Sequence, residues 1–172
     1  MRFKDQVVVV TGSTRGIGKE IAFAFAREGA CSIIIGRDVQ KAETVAGEIR
    51  KLGFQADCFG CDVVNWQMVQ ETVNKILDKY KCIDILINNA GITRDNLLLR
   101  IDENDWDEVI DTNLKGAFHF IKAVTKPMLK AKNPSTLATS TFWISVTRTG
   151  RRSWSPVEAT ILCSLLQSHS CH

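Results

Sequence analysis

The sequence predicts an α/β fold, a doubly wound parallel sheet that stops short of completion at its C-terminal end. Three observations carry that expectation. Four short β-rich runs alternate with three helical patterns over the first half of the chain. Val and Ile dominate the first, second and fourth runs, as in strands buried on both faces of a parallel sheet. Past Lys132 the composition changes abruptly, inside what should be one domain.

Taken in order, the strands are expected at 6–10, 32–35, 55–59 and 83–87, and the helices between them at 16–28, 39–51 and 66–79. Ile17, Ile21, Ala24 and Phe25 recur at helical spacing in the first helix. Met68, Val69, Val73, Ile76 and Leu77 do so in the third. Gly29 and Gly53 fall just past two helix ends, where a left-handed C-cap favours glycine. A longer helical region is expected from 103 to 132. Alternation of this kind means right-handed crossovers between parallel strands.

At 172 residues the chain is long enough for one domain with a real core. Its 45% apolar and 24% charged residues are ordinary for a soluble globular protein. The net charge of +3 comes from acids and bases mixed along residues 1–132, so no nucleic-acid partner is expected. The first strand begins almost at once, which leaves no room for a secretory leader, and no apolar run reaches the ~20 residues of a membrane span. A cytoplasmic protein is expected. Its six cysteines are read as reduced thiols. Cys58 and Cys61 have a CxxC spacing, but on a strand the two would face opposite sides, so packed thiols are expected in place of a metal or redox pair.

Residues 1–132 hold two serines and twelve lysines, whereas residues 133–172 hold eight serines and no lysine. Of nineteen acids only Glu158 lies beyond residue 132. The chain is therefore divided into a nucleotide-binding portion, 1–132, and a tail, 133–172, in which runs at 140–147 and 159–166 could order as a strand and a short helix. A divergent tail, a frameshifted or mis-spliced end, and an unrelated fusion are the three readings, and the second is favoured.

The loop Gly12-x-x-x-Gly16-x-Gly18 leaves a strand and opens a helix, which is where a glycine pattern points to a dinucleotide. Glycines permit the tight turn and let backbone N–H groups approach a pyrophosphate, and the helix N-terminus adds partial positive charge. Arg37 and Asp38 end the second strand, at the edge where an adenosine ribose lies. An acid there suits a free 2′-hydroxyl, and Arg37 helped by Arg15 suits a 2′-phosphate, so NADP is expected over NAD. Asp62-Val63 ends the third strand and offers a carboxylate to an adenine amino group, or alternatively an acid capping the next helix. Asn89, Ala90 and Gly91 close the fourth strand on the same edge.

Thr-Gly-x-x-x-Gly-Ile-Gly, Asp62-Val63, Asn88-Asn89-Ala90-Gly91 and Asn113 in Asp-Thr-Asn-Leu-Lys-Gly together resemble the short-chain dehydrogenase/reductases. The stretch from Asn88 to Arg100 looks most like their 3-oxoacyl-acyl-carrier-protein reductases, which act in fatty-acid synthesis. The resemblance runs from about Lys4 to Lys132. It implies a Rossmann fold, with Gly12, Ser13, Arg15, Gly16, Ile17, Gly18 and Arg37 holding phosphates and ribose. It also implies that Asp62 and Val63 meet adenine and that Asn89, Ala90 and Gly91 line the nicotinamide side. Asn113 matches the catalytic asparagine, whose distorted backbone helps hold a water in a proton relay. NADPH and acyl carrier protein are the implied partners, and a homotetramer the implied assembly.

The family also uses Ser-x12-Tyr-x-x-x-Lys. At family spacing from Asn113 the serine falls by Ser140, and the tyrosine and lysine fall on Trp154 and Glu158. An indole N–H cannot serve as the acid, and glutamate reverses the lysine's charge. The only tyrosine, Tyr80, has no lysine four residues on. The reductase lineage is therefore expected in a chain that is inactive as written. Lys126, Lys130 and Lys132 would either face an acidic carrier or simply be solvated, and solvation is preferred. Without the family's later strands, some of Phe118, Phe120, Ile121, Val124 and Leu129 should be left in water, a source of aggregation.

Overall fold

The computed structural model describes residues 1–94 and 101–130 and the backbone of 135–138. The runs at 140–147 and 159–166 lie outside the described residues. The elements are β1 (Val7–Thr11), α1 (Gly16–Arg27), β2 (Cys31–Gly36), α2 (Val39–Lys51), β3 (Ala56–Gly60) and α3 (Trp66–Tyr80). They continue as β4 (Ile85–Asn88), α4 (Glu103–Ile110), α5 (Gly116–Lys130) and β5 (Ser135–Ala138). All four strand pairings are parallel, in the order β3-β2-β1-β4-β5. The order reverses between β1 and β4, so a crevice opens at the carboxyl ends of those two strands.

Alternation along the central strands splits the core in two. Val7 and Val9 of β1 and Ile33 and Ile35 of β2 face a cluster with Val69, Val73 and Ile76 of α3 and Phe120 and Val124 of α5. Val8, Val10 and Ile34 face the opposite cluster, with Ile21, Phe25, Ala42, Val45 and Ile49 of α1 and α2. A strand covered on both sides has no face to leave polar, which is why β1, β2 and β4 are buried along their length.

β1, β3 and β4 begin one or two residues C-terminal of the start their apolar runs suggest, whereas β2 begins one residue earlier, and all four end one residue further on. Ladder pairing decides this: Thr11, Gly36, Gly60 and Asn88 extend the sheet toward the crevice although none is a typical strand residue. Gly29 and Gly53 do adopt positive φ, at 93° and 84°. The long helical region is not one α-helix. A π-helical turn at Asp111–Lys115 separates α4 from α5, and α4 buries no residue. β5 pairs Ser135–Ala138 with β4, so the sheet continues beyond Lys132, where the sequence reading ends the nucleotide-binding portion.

Of the five apolar residues expected near water, Phe120, Ile121 and Val124 are buried, while Phe118 and Leu129 are 47% and 43% exposed. Cys58 packs with the α1–α2 cluster and Cys61 with the α3–α5 cluster, on opposite faces of the sheet. Burial, the neighbouring Glu43 and Asp57 push the Cys58 thiol up to about 11, and burial raises Cys61. Among the described residues no helix is long and apolar enough to cross a membrane.

The amino edge of the sheet carries a polar cluster of its own. Asp57 accepts from Lys79 Nζ at 2.6 Å, from the Tyr80 hydroxyl at 3.0 Å and from the Cys58 N–H at 3.0 Å. Burial works against the Asp57 charge, but these donors overcome it and hold its carboxyl below the usual carboxylate range. A depressed folded value stabilises the fold above the unfolded carboxyl value and loses that contribution as pH falls through the folded one. Acid unfolding followed by circular dichroism should therefore begin below about pH 4. Asp57→Asn should lower stability at neutral pH and flatten that acid limb; an unchanged limb would rule Asp57 out as its source.

Candidate functional site

The carboxyl ends of β1 and β4 are fastened to each other before anything binds between them. The Thr11 hydroxyl donates to Ile87 O at 3.3 Å and accepts from the N–H groups of Asn89 and Ala90, each at 3.0 Å. Asn89 Nδ2 returns the contact, donating to Thr11 O at 3.0 Å and Gly12 O at 3.1 Å. The backbones come so close that a Cβ on Gly12 would lie 2.7 Å from Ala90 Cα, at a φ of 64° that already disfavours side chains. A Cβ on Gly18 would fall on the Asn89 amide. The first and third glycines of the motif thus serve strand-to-strand and helix-to-loop contact. At Gly16, φ is 55° and the Cβ position meets nothing within 4 Å, open space above the helix end.

These contacts frame a cleft of about 1260 Å³. Gly12, Thr14, Arg15, Gly16, Ile17 and Gly18 line it from the loop, Gly36, Arg37, Asp38 and Lys41 from the end of β2, and Cys61, Asp62 and Val63 from the end of β3. Asn89, Ala90, Gly91, Ile92 and Arg94 line it from β4, and Asn104, Asp107, Glu108, Asp111 and Thr112 from the helices beyond. Among the described residues no side chain caps the N-terminus of α1, which opens on the cleft. Backbone N–H groups there are the ones an anion would take.

Eleven of the twelve residues expected at a cofactor line this cleft. Ser13 does not: its side chain is fully buried, donating to Val10 O at 2.6 Å and accepting from the Ile35 N–H at 3.1 Å. It shapes the loop from beneath. Asp62 accepts from the Val64 N–H at 3.1 Å and is not the cap of α3; Asn65 holds that place by accepting from the Met68 N–H. Asp38 caps α2. Buried His119 meets Val63 O through Nδ1 at 3.0 Å, fixing the turn after β3 from below. Thr11, Thr14, Lys41, Ile92 and Arg94 escaped the sequence reading. Thr11 and Thr14 lie within or beside the glycine motif, a signal available in principle; only the fold brings the other three there.

Asn113 sits inside the π-helical turn and grips the loop after β4 with both ends of its amide. Oδ1 accepts from the Ile92 N–H at 2.8 Å and Nδ2 donates to Ile92 O at 3.0 Å. A π-turn widens the helix by one residue, and such turns recur at functional positions. Arg94 adds a second tie, with Nε 3.0 Å from Glu108 Oε2.

Tyr80 is remote from all of this. Its hydroxyl is committed to Asp57 near the start of β3, at the opposite end of the strands from the cleft. Burial first, then Cys31 and Asp57, push its phenol far above the ordinary value, the reverse of what a proton donor needs. Ser140, Trp154 and Glu158 lie outside the described residues.

A family profile described as short chain dehydrogenase matches residues 6–143, past the Lys132 limit expected for the resemblance. The chain belongs to the short-chain dehydrogenase family. It is 40% identical over 130 residues to a 3-oxoacyl-[acyl-carrier-protein] reductase of Staphylococcus epidermidis, covering 75% of this chain and 53% of the relative. To the enzyme of the same description from Thermotoga maritima it is 41% identical over 137 residues, covering 78% and 55%. A solved gluconate 5-dehydrogenase of Burkholderia cenocepacia, in complex with NADP and tartrate, superposes with a TM-score of 0.75 at 34% identity, covering 80% of this chain and 55% of that one. The chain thus spans about half the length of these curated relatives.

Gly12→Ala should lower stability by about 1–3 kcal/mol through backbone strain, before the Ala90 clash is added. Urea denaturation measures this, and an unchanged midpoint would mean the β1–β4 approach is looser than described. Asn113→Ala should speed hydrogen exchange of the Ile92 amide while leaving amides in β1 and β2 protected.

Proposed function

We propose that the chain holds NADP(H) in this cleft, descends from reductases of 3-oxoacyl thioesters on acyl carrier protein, and does not itself turn that reaction over. The observation that carries the binding reading is the N-terminus of α1, uncapped by any side chain among the described residues and opening on a cleft beside Arg15 and Arg37. The pattern suits a pyrophosphate at the helix end and a phosphorylated ribose at the end of β2. The NADP-bound gluconate 5-dehydrogenase supports the cofactor, and the two curated reductases support the substrate class.

When bound, the cofactor supplies a hydride for a carbonyl carbon. The chain's own part is to bind and orient. Gly16, Ile17 and Gly18 would present backbone N–H groups to the phosphates, Asp62 would meet adenine, and the Asn89–Ala90–Gly91 backbone would bound the nicotinamide end. Asn113 positions that boundary through Ile92.

Proton delivery is what the chain lacks. By family spacing Trp154 and Glu158 fall where tyrosine and lysine are expected, and Tyr80 is held by Asp57. Losing general acid catalysis alone costs about 10²–10⁴-fold in rate. A second reading, favoured by the change in composition after Lys132, is a cytoplasmic reductase whose reading frame shifts in the tail, 133–172. Sequencing the transcript beyond the Lys132 codon decides it: a Tyr-x-x-x-Lys in another frame supports the shift, and an intact frame removes it. Lys126 and Lys130 are exposed on α5 and are read as solvated; a carrier protein that bound less well to the double charge reversal would make them a docking face.

Fluorescence titration of the full chain should give an NADPH dissociation constant below about 1 mM. NADH should bind at least about tenfold more weakly. With a 3-oxoacyl thioester present, NADPH absorbance should stay constant. Turnover would overturn the inactive reading, and absent NADPH binding would overturn the cofactor reading.

A further inference from the structure

We propose that Lys41 is a third cation for the adenosine 2′-phosphate, and that Asp38 belongs to the helix and not to the ribose. The proposal rests on the NADP(H) reading. β2 ends at Gly36; Arg37 and Asp38 lead directly into α2, and Lys41 stands in its first turn. Thr14, Arg15, Arg37, Asp38 and Lys41 all line the cleft.

An acid just past this strand selects a free 2′-hydroxyl only if its oxygens can reach the ribose. The Asp38 carboxylate is fixed on the helix through Oδ1. Oδ1 accepts from the N–H groups of Gln40 and Lys41, each at 3.1 Å, and Oδ2 lies 3.2 Å from Lys41 Nζ. The capping bonds and Lys41 hold the Asp38 carboxyl below the usual range, so it stays a charged cap.

The Lys41–Asp38 pair is a weak tether, because the Lys41 side chain is 74% exposed and water screens the attraction. A phosphate monoester offers nearly two charges and three acceptor oxygens. It would therefore draw the ammonium from a single solvated carboxylate. Four rotatable bonds let Nζ swing without moving α2, and an ammonium suits phosphate as a point charge. The acid that would otherwise argue for NAD thus anchors the helix that delivers a cation for NADP.

Calorimetry on the full chain with adenosine 2′,5′-bisphosphate and adenosine 5′-monophosphate isolates the 2′-phosphate. The unmodified chain should prefer the bisphosphate. Lys41→Ala should shrink that preference by roughly three- to tenfold, leave monophosphate affinity unchanged, and be largely restored in Lys41→Arg. Asp38→Asn, which keeps a good capping oxygen, should leave monophosphate affinity unchanged. An unmodified chain with no preference overturns the NADP(H) reading and this proposal together. A clear preference untouched by Lys41→Ala overturns this proposal alone, as does weaker monophosphate binding by Asp38→Asn.

Discussion

The approach of two backbones, the loop after β1 and the loop after β4, constrains everything else at the cleft. Thr11 and Asn89 knit the two strand ends with five hydrogen bonds between them. That knitting is possible only because Gly12 has no side chain to keep Ala90 away. Gly18 lets α1 follow the loop closely, which aims the helix N-terminus at the crevice. A bulkier residue at either place would separate the helix dipole from the strand ends beside it, and the proposed anion site would disperse.

The two-sided core makes this arrangement rigid. With α1 and α2 packed on one face and α3 and α5 on the other, the strands have no freedom to slide, because a one-residue slip would exchange the two clusters. The sheet also separates the chain's polar chemistry into two edges. Glycines, Arg15, Arg37, Asp62 and Asn113 gather at the carboxyl edge, while Asp57, Lys79 and Tyr80 satisfy one another at the amino edge. Tyr80 is thus a structural residue by position as well as by chemistry.

Much of this was legible in the sequence because the signals were local. The Val and Ile runs, the helical spacing of Val69, Val73 and Ile76, and the glycines past two helix ends each state their own structure. What escaped depends on partners distant in the chain. The π-turn around Asn113 has no periodicity signature, since the apolar spacing of one continuous helix reads much the same with one residue added. β5 is a short Ser-Thr-Leu-Ala run that becomes a strand because β4 offers an unpaired edge. Ser13 looks like a loop residue with a free hydroxyl, and only the closure of Ile35 against it turns that hydroxyl inward. Lys41 carries no sequence signal of its own, and only the placement of α2 brings it to the cleft.

On the proposed reading, binding and proton delivery separate along this chain, and their energetics explain how one could outlast the other. Phosphate recognition would then rely on backbone N–H groups, a helix dipole and exposed cations, all of which line the cleft between Gly12 and Lys41. Those interactions act equally on the bound ground state and on any later state, so they hold a nucleotide without accelerating anything. Acceleration requires groups that interact more strongly as charge develops on a carbonyl oxygen, and in this family's pattern such groups lie beyond Asn113. A chain of the proposed kind would therefore keep much of its affinity while losing its rate, with Asn113 at the boundary. Its amide braces Ile92 and the loop after β4, a task that would serve binding whether or not a proton ever follows.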